Sequence, residues 1–124
     1  MITPGIDHIA LTVPDLDAQL ARLTAMGMVI EHRFGDFALA SDPVTSLRLE
    51  LGRSEDDRVH LRHFGFRSDD VDHDHQALVE SGMETAEAPH RREVARMYTS
   101  FLRQPGGTDV QLVAYDQQEA SARG

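Results

Sequence analysis

Residues 6–13 (IDHIALTV) alternate: Ile9, Leu11 and Val13 share one face, and His8, Ala10 and Thr12 the other, as in a half-buried strand. Pro14-Asp15 ends that run and opens a helix, with Asp15 as the N-cap. Leu16, Leu20 and Leu23 then recur at i, i+4 and i+7, an apolar stripe that faces the sheet. Gly27 is the expected helix stop. Strands are predicted at 28–33, 36–40 and 46–51, with Asp42-Pro43 turning between the last two. The polar segment 52–57 (GRSEDD) reads as a connection between two halves.

The same plan then starts again. Residues 59–67 read as a strand, and Ser68-Asp69-Asp70 caps a helix to about Ser81, with Val71, His75, Leu78 and Val79 as its stripe and Gly82 as its stop. Strands follow at 84–88, 96–103 and 109–114, the last two joined through Pro105-Gly106-Gly107. Residues 8–28 align without a gap on residues 63–83 at an offset of 55, with six identities: His8/His63, Asp15/Asp70, Asp17/Asp72, Leu23/Leu78, Gly27/Gly82 and Met28/Met83. A unit present twice is a duplicated module, since solenoids need three or more copies. The expected fold is α+β: two pseudo-symmetric βαβββ modules at 5–52 and 58–115 in one domain, and a polar tail over 116–124.

Strand parity selects the candidate chemistry. If Ile9, Leu11 and Val13 pack under the helix, His8 points to the opposite, concave face. By the same rule Leu47, Leu49 and Leu51 oppose Arg48 and Glu50, and Val110 and Leu112 oppose Gln111. Each half thus offers one residue from its first strand and one from its last: His8 with Glu50, and His63 with Gln111. Ala10 and Gly65 beside the histidines leave room for a ligand. Two imidazoles and one carboxylate suit a divalent Fe, Mn, Ni, Co or Zn ion that polarises a carbonyl, stabilises an enolate or binds O₂. Gln111 offers a weaker fourth donor. His73 and His75 have metal-like spacing, but the repeat puts His75 where Leu20 stands, on the packing stripe.

Composition narrows the partners. Lys and Arg number 12 against 21 Asp and Glu, a net charge of −9 that disfavours nucleic acid and anionic membrane surfaces. Cysteine is absent, which removes disulfides and thiolate chemistry. The start MITPGIDH has neither the basic nor the apolar region of a signal peptide, and no apolar run approaches the ~20 residues of a membrane span, so the expected location is the cytoplasm. Arg91, Arg92 and Arg96 form a small basic cluster, read as a solvated loop unless it meets a substrate anion. Arg48 and Arg67 share the parity of the site histidines and are candidate substrate contacts, as is the Tyr98 hydroxyl.

The segments DHIALTVPDLDAQL, LRLEL, HFGFRSDDVD and FLRQPGGTDVQLVAYD resemble, in this order, the vicinal oxygen chelate superfamily. That group includes glyoxalase I, methylmalonyl-CoA epimerase, type I extradiol dioxygenases and fosfomycin- and bleomycin-resistance proteins. The resemblance implies a cupped mixed sheet built from two βαβββ modules, a homodimer, and a metal held inside the cup. Carried across residue by residue, it places His8, Glu50 and His63 on metal-ligand positions, Glu50 doubling as the catalytic base, with Gln111 as a weak or supporting ligand. It implies a metal-dependent isomerase, epimerase or lyase acting on vicinal oxygens of a small substrate. Two other activities fit the same resemblance: a metal-free drug-binding protein using an apolar pocket, and an Fe(II) ring-cleaving dioxygenase. The chain departs from the family pattern at Gln111, where metal-dependent members carry Glu, and at Gln104-Pro105-Gly106-Gly107, usually Asp-Pro-Asp-Gly. Phe101 stands where the ring-cleaving enzymes carry a catalytic Tyr.

Overall fold

A computed structural model describes residues 5–116 of the chain. The elements run β1 (Ile6–Val13), α1 (Leu16–Ala25), β2 (Val29–Phe34), β3 (Phe37–Ser41), β4 (Arg48–Arg53), β5 (His60–Arg67), α2 (Val71–Glu80), β6 (Glu84–Arg92), β7 (Met97–Arg103) and β8 (Asp109–Tyr115). This is strand, helix and three strands, twice: two helices and an eight-stranded mixed sheet. None of the described helices is long and apolar enough to cross a membrane.

The chain divides into two compact units, and the division falls inside β5, between Phe64 and Gly65, not in the 52–57 connection. The physical reason is that the first part of β5 lies beside β1. In the unit Ile6–Phe64 the strand order is β2-β3-β4-β1, followed by that part of β5. β1 and β4 pair in parallel, and β3 pairs antiparallel with β4 and with β2. Val13, Leu16, Leu20, Leu23, Ala38, Ala40 and Leu51 form its core, so the predicted α1 stripe is the buried one. In the other unit β8 pairs with β7, and β7 with β6. Its core is Val71, Leu102, Val110 and Leu112, with Phe66, Leu78, Val79 and Met83 packed against it.

Most of the repeated residues are explained by the helix ends. The Asp15 carboxylate accepts from the Ala18 N–H at 3.0 Å, and Asp70 from the His73 N–H at 3.1 Å, so each side chain satisfies an orphan donor of its helix. At the other end Met28 N–H reaches Leu23 O at 3.0 Å and Met83 N–H reaches Leu78 O at 3.1 Å. Gly27 and Gly82 lie between at φ +94° and +112°, the left-handed turn that a side chain disfavours. This is the same Schellman stop twice, with the Leu–Met contact that accompanies it. Asp17 and Asp72 sit in the first turns, favourable places for negative charge, and bind Arg33 and the Tyr98 hydroxyl at 2.8 and 2.7 Å. One identical pair, His8 and His63, has no part in this capping.

Three boundaries differ from expectation. β4 starts at Arg48 instead of residue 46 because a closed loop precedes it: Asp42 N–H bonds Leu47 O, Ser46 N–H bonds Asp42 O, and Ser46 takes φ +67°. β6 continues to Arg92, through Pro89, where a loop was expected. It is an edge strand, where a missing N–H is tolerated, and β7 supplies partners to its end, with His90 opposite Thr99 and Arg92 opposite Met97. The basic cluster is not simply solvated: Arg91 makes a two-pronged pair with Asp116 at 2.7 and 2.8 Å, and Arg96 lies 3.7 Å from the same carboxylate. Asp116, the first residue of the expected tail, is thereby tied down; residues 117–124 lie outside the described residues.

His75 takes the packing position expected of it. It is 6% exposed, with Nδ1 2.7 Å from Ser100 Oγ and Nε2 2.9 Å from Thr85 Oγ1. Burial lowers its pKa below the ordinary value, and the Asp72 charge only partly opposes this.

Two outcomes follow. Replacing Asp15 or Asp70 by Ala should each cost about 1 kcal/mol in urea unfolding, with unchanged m-value. His75 is held neutral in the folded chain, whereas the unfolded chain binds a proton as pH falls below about 6.5, so its contribution is complete above that pH and is lost progressively below it. Between pH 7.5 and 5.5 the native protein should therefore lose more stability than His75→Gln; equal losses would contradict this assignment.

Candidate metal centre

The parallel register of β1 and β4 sets His8 opposite Arg48 and Ala10 opposite Glu50. Residues side by side in a parallel pair share a face, so the Glu50 side chain projects on the face that carries His8. Leu49 and Leu51 turn the other way, into the core of α1. His63 comes from the part of β5 inside the same compact unit. All three side chains are therefore held by adjacent strands of one packed body.

Their polar atoms converge. His8 Nε2 lies 3.1 Å from His63 Nε2, and the rings meet edge-on at 88°. Glu50 Oε2 is 3.4 Å from His8 Nε2, and Oε1 is 3.8 Å from His63 Nε2. Among the described residues this is the one group of three or more His or acidic side chains whose donor atoms lie within 4.8 Å of one another. Accessibility is graded across it: the side chains of His8, His63 and Glu50 are 2%, 17% and 32% exposed.

Asp7 supports this group and escaped the sequence reading. Its carboxylate is fully buried, accepts from His8 Nδ1 at 2.8 Å and is met by Arg48 Nη2 at 3.2 and 3.4 Å. A carboxylate accepts but does not donate, so His8 donates from Nδ1 to Asp7, and its Nε2 faces His63 and Glu50. One signal could have found it: Asp7 has the parity of Ile9, Leu11 and Val13, and a charge on the apolar face of a strand needs a partner. Arg48, a candidate substrate contact, is engaged with Asp7.

The remaining candidates belong to the other compact unit. Gln111 is buried in β8, where its amide donates to Thr99 Oγ1 at 2.9 Å, and the Thr99 hydroxyl donates in turn to Leu112 O at 2.6 Å. Tyr98 packs its ring on the second core and donates its hydroxyl to Asp72. That hydrogen bond raises the phenol pKa and keeps it neutral. Arg67 is exposed at the end of β5, its N–H bonded to Gly5 O.

The unit that holds the three donors also has a concavity of about 450 Å³, bordered by Thr12, Arg53, Glu55, Asp56, His60 and Arg62 and by none of the three. Its wall is charged and hydrogen-bonded, with His60 2.8 Å from Asp56, and is unlike the apolar pocket that metal-free drug sequestration requires.

Comparison with known proteins agrees with this architecture. The chain is similar to methylmalonyl-CoA epimerase from Mycobacterium tuberculosis, with 22% identity and a TM-score of 0.72, over 94% of this chain and 91% of that one. A variant of Streptomyces coelicolor methylmalonyl-CoA epimerase in complex with 2-nitronate-propionyl-CoA gives 24% identity and a TM-score of 0.68, over 93% and 99% of the two chains. A hypothetical protein from Bacillus halodurans shares the fold at 16% identity and a TM-score of 0.65, over 91% and 95%. No curated protein matches the sequence significantly. The sequence model of one family matches residues 5–112, nearly all of both modules. With its doubled βαβββ plan and this match, the chain belongs to the Glyoxalase/Bleomycin resistance protein/Dioxygenase superfamily.

Proposed function

We propose that this chain is a divalent-metal-dependent enzyme of isomerase or epimerase type, with His8, His63 and Glu50 as metal ligands. The observation that carries the proposal is the convergence of two imidazole nitrogens and one carboxylate from three strands. The donor set fits a borderline divalent ion, and two of its three spacings fit as they stand, with Glu50 having 0.4 Å to close toward His63. Ligands about 2.1 Å from a common centre, at angles between 90° and tetrahedral, stand about 3.0–3.4 Å apart. The closest pairs here stand 3.1, 3.4 and 3.8 Å apart. The resemblance implies Gln111 as a weak or supporting fourth ligand.

A bound divalent ion would polarise a substrate carbonyl and offset the charge of an enolate. The chain's own groups divide the rest of the work. His8 and His63 supply neutral donors through Nε2 and no charge. Glu50 brings the negative charge of the set and is its most exposed member. We assign it proton transfer at a carboxylate oxygen, to and from the carbon next to the substrate carbonyl. Several structural neighbours are methylmalonyl-CoA epimerases, one of them in complex with methylmalonyl-CoA. An acyl thioester with a neighbouring carboxylate has the two adjacent oxygens and the acidic carbon–hydrogen bond that this arrangement requires, and is the substrate class to test first.

Protein purified without a His-tag should carry near-stoichiometric transition metal by elemental mass spectrometry, and the His8→Ala/His63→Ala double variant should carry none. Metal-loaded protein should wash deuterium from D₂O into C2 of methylmalonyl-CoA. Glu50→Gln should slow the exchange about 10²–10⁴-fold. Absence of metal after reconstitution with Fe(II), Mn(II), Ni(II) and Zn(II) would sink the metal reading. Bound metal without exchange would remove this substrate class.

A further inference from the structure

Duplication gave both halves the histidine but placed an acidic residue just before only one of them. At the repeat offset of 55 the residue matching Asp7 is Arg62, and on the last strand, where Gln111 matches Glu50, the residue matching Arg48 is Asp109. Arg62 is exposed on β5, and the Asp109 carboxylate accepts from Arg103. A buried carboxylate just before the histidine is therefore peculiar to the first half. It is also costly, because Asp7 is 1% exposed and a carboxylate leaves water only at a penalty of several kcal/mol that close partners must offset. Nothing in β1 as a strand needs a charge there: Ile9, Leu11 and Val13 show what its apolar parity otherwise carries.

What Asp7 and Arg48 act on is the His8 ring. With Nδ1–H given to Asp7 at 2.8 Å, the ring keeps one tautomer and one rotation, and Nε2 keeps its lone pair toward His63 and Glu50. Arg48 meets both Asp7 oxygens within 3.4 Å and so holds the carboxylate in place. His63 lacks a matching acid at the preceding position and is the more exposed of the two rings.

We propose that Asp7 is a positioning residue, fixing His8 as the anchored ligand of the metal centre, with Arg48 locking Asp7. This rests on the reading of His8 as a metal ligand. Carboxylates that orient metal-bound histidines commonly contribute 10–100-fold to metal affinity.

The test uses the metal-stripped, ¹⁵N-labelled full chain, with long-range ¹H–¹⁵N NMR of the His8 ring and Co(II) titration by visible absorption. Wild-type His8 should appear as the Nδ1–H tautomer. Asp7→Asn, nearly equal in shape, removes the charge and lets an amide N–H face Nδ1. It should mix the tautomers and weaken Co(II) binding 10–100-fold, with a smaller loss for Arg48→Gln. An Nε2–H tautomer in the wild type overturns the proposal even if neither variant folds. Unchanged tautomer and affinity in a folded Asp7→Asn protein overturn it as well. A wild-type protein that binds no Co(II) at all defeats the metal reading beneath it, an outcome distinct from the other two.

Discussion

Parallel pairing of β1 with β4 in a single register is what the site depends on. With Ala10 opposite Glu50, the carboxylate shares a face with His8, while Leu49 and Leu51 enter the core beneath α1. Side chains alternate strictly along a strand, so a slip of one residue would bury Glu50 among leucines and expose the leucines instead. The energy that enforces this register is hydrophobic and remote from the chemistry. Burying Leu51 and packing Leu49 against the core, each contributing on the order of 1–3 kcal/mol, fix where the carboxylate stands. Stability and site geometry are thus two consequences of one alternating pattern.

Upon that frame the local chemistry is graded. The innermost layer, Asp7 with His8, is sealed from water; His63 is partly open and Glu50 more so. Exposure to solvent therefore increases from the buried imidazole toward the carboxylate. That order suits a centre that must hold an ion firmly and still present one group to a substrate.

Much of the fold was legible in the sequence because the signals are local. N-cap aspartates, helix-stopping glycines and the apolar stripes are governed by residues a few positions apart, and the repeat states each of them twice. The pairing His8–Glu50–His63 followed from the same parity rule. What stayed illegible depends on partners far along the chain. The Arg91–Asp116 pair joins residues 25 apart, and Arg48 reaches Asp7 across 41. The extension of β6 through Pro89 required knowing that this strand lies at an edge. Asp7 was the informative omission, visible as a charge of the wrong parity but not interpretable until its partners were in place.

The identities of the repeat sharpen the functional inference. Asp15/Asp70, Asp17/Asp72, Leu23/Leu78, Gly27/Gly82 and Met28/Met83 are accounted for by helix caps, first-turn charge and the Schellman contact. We assign His8/His63 instead to what the two rings do together at the site. Anomalous diffraction from crystals of the Co(II)-loaded protein tests that claim most directly. The account expects one peak within about 2.0–2.2 Å of His8 Nε2, His63 Nε2 and a Glu50 carboxylate oxygen. A peak at another set of side chains, such as His60 and Asp56, or no peak from protein saturated with Co(II), would contradict it.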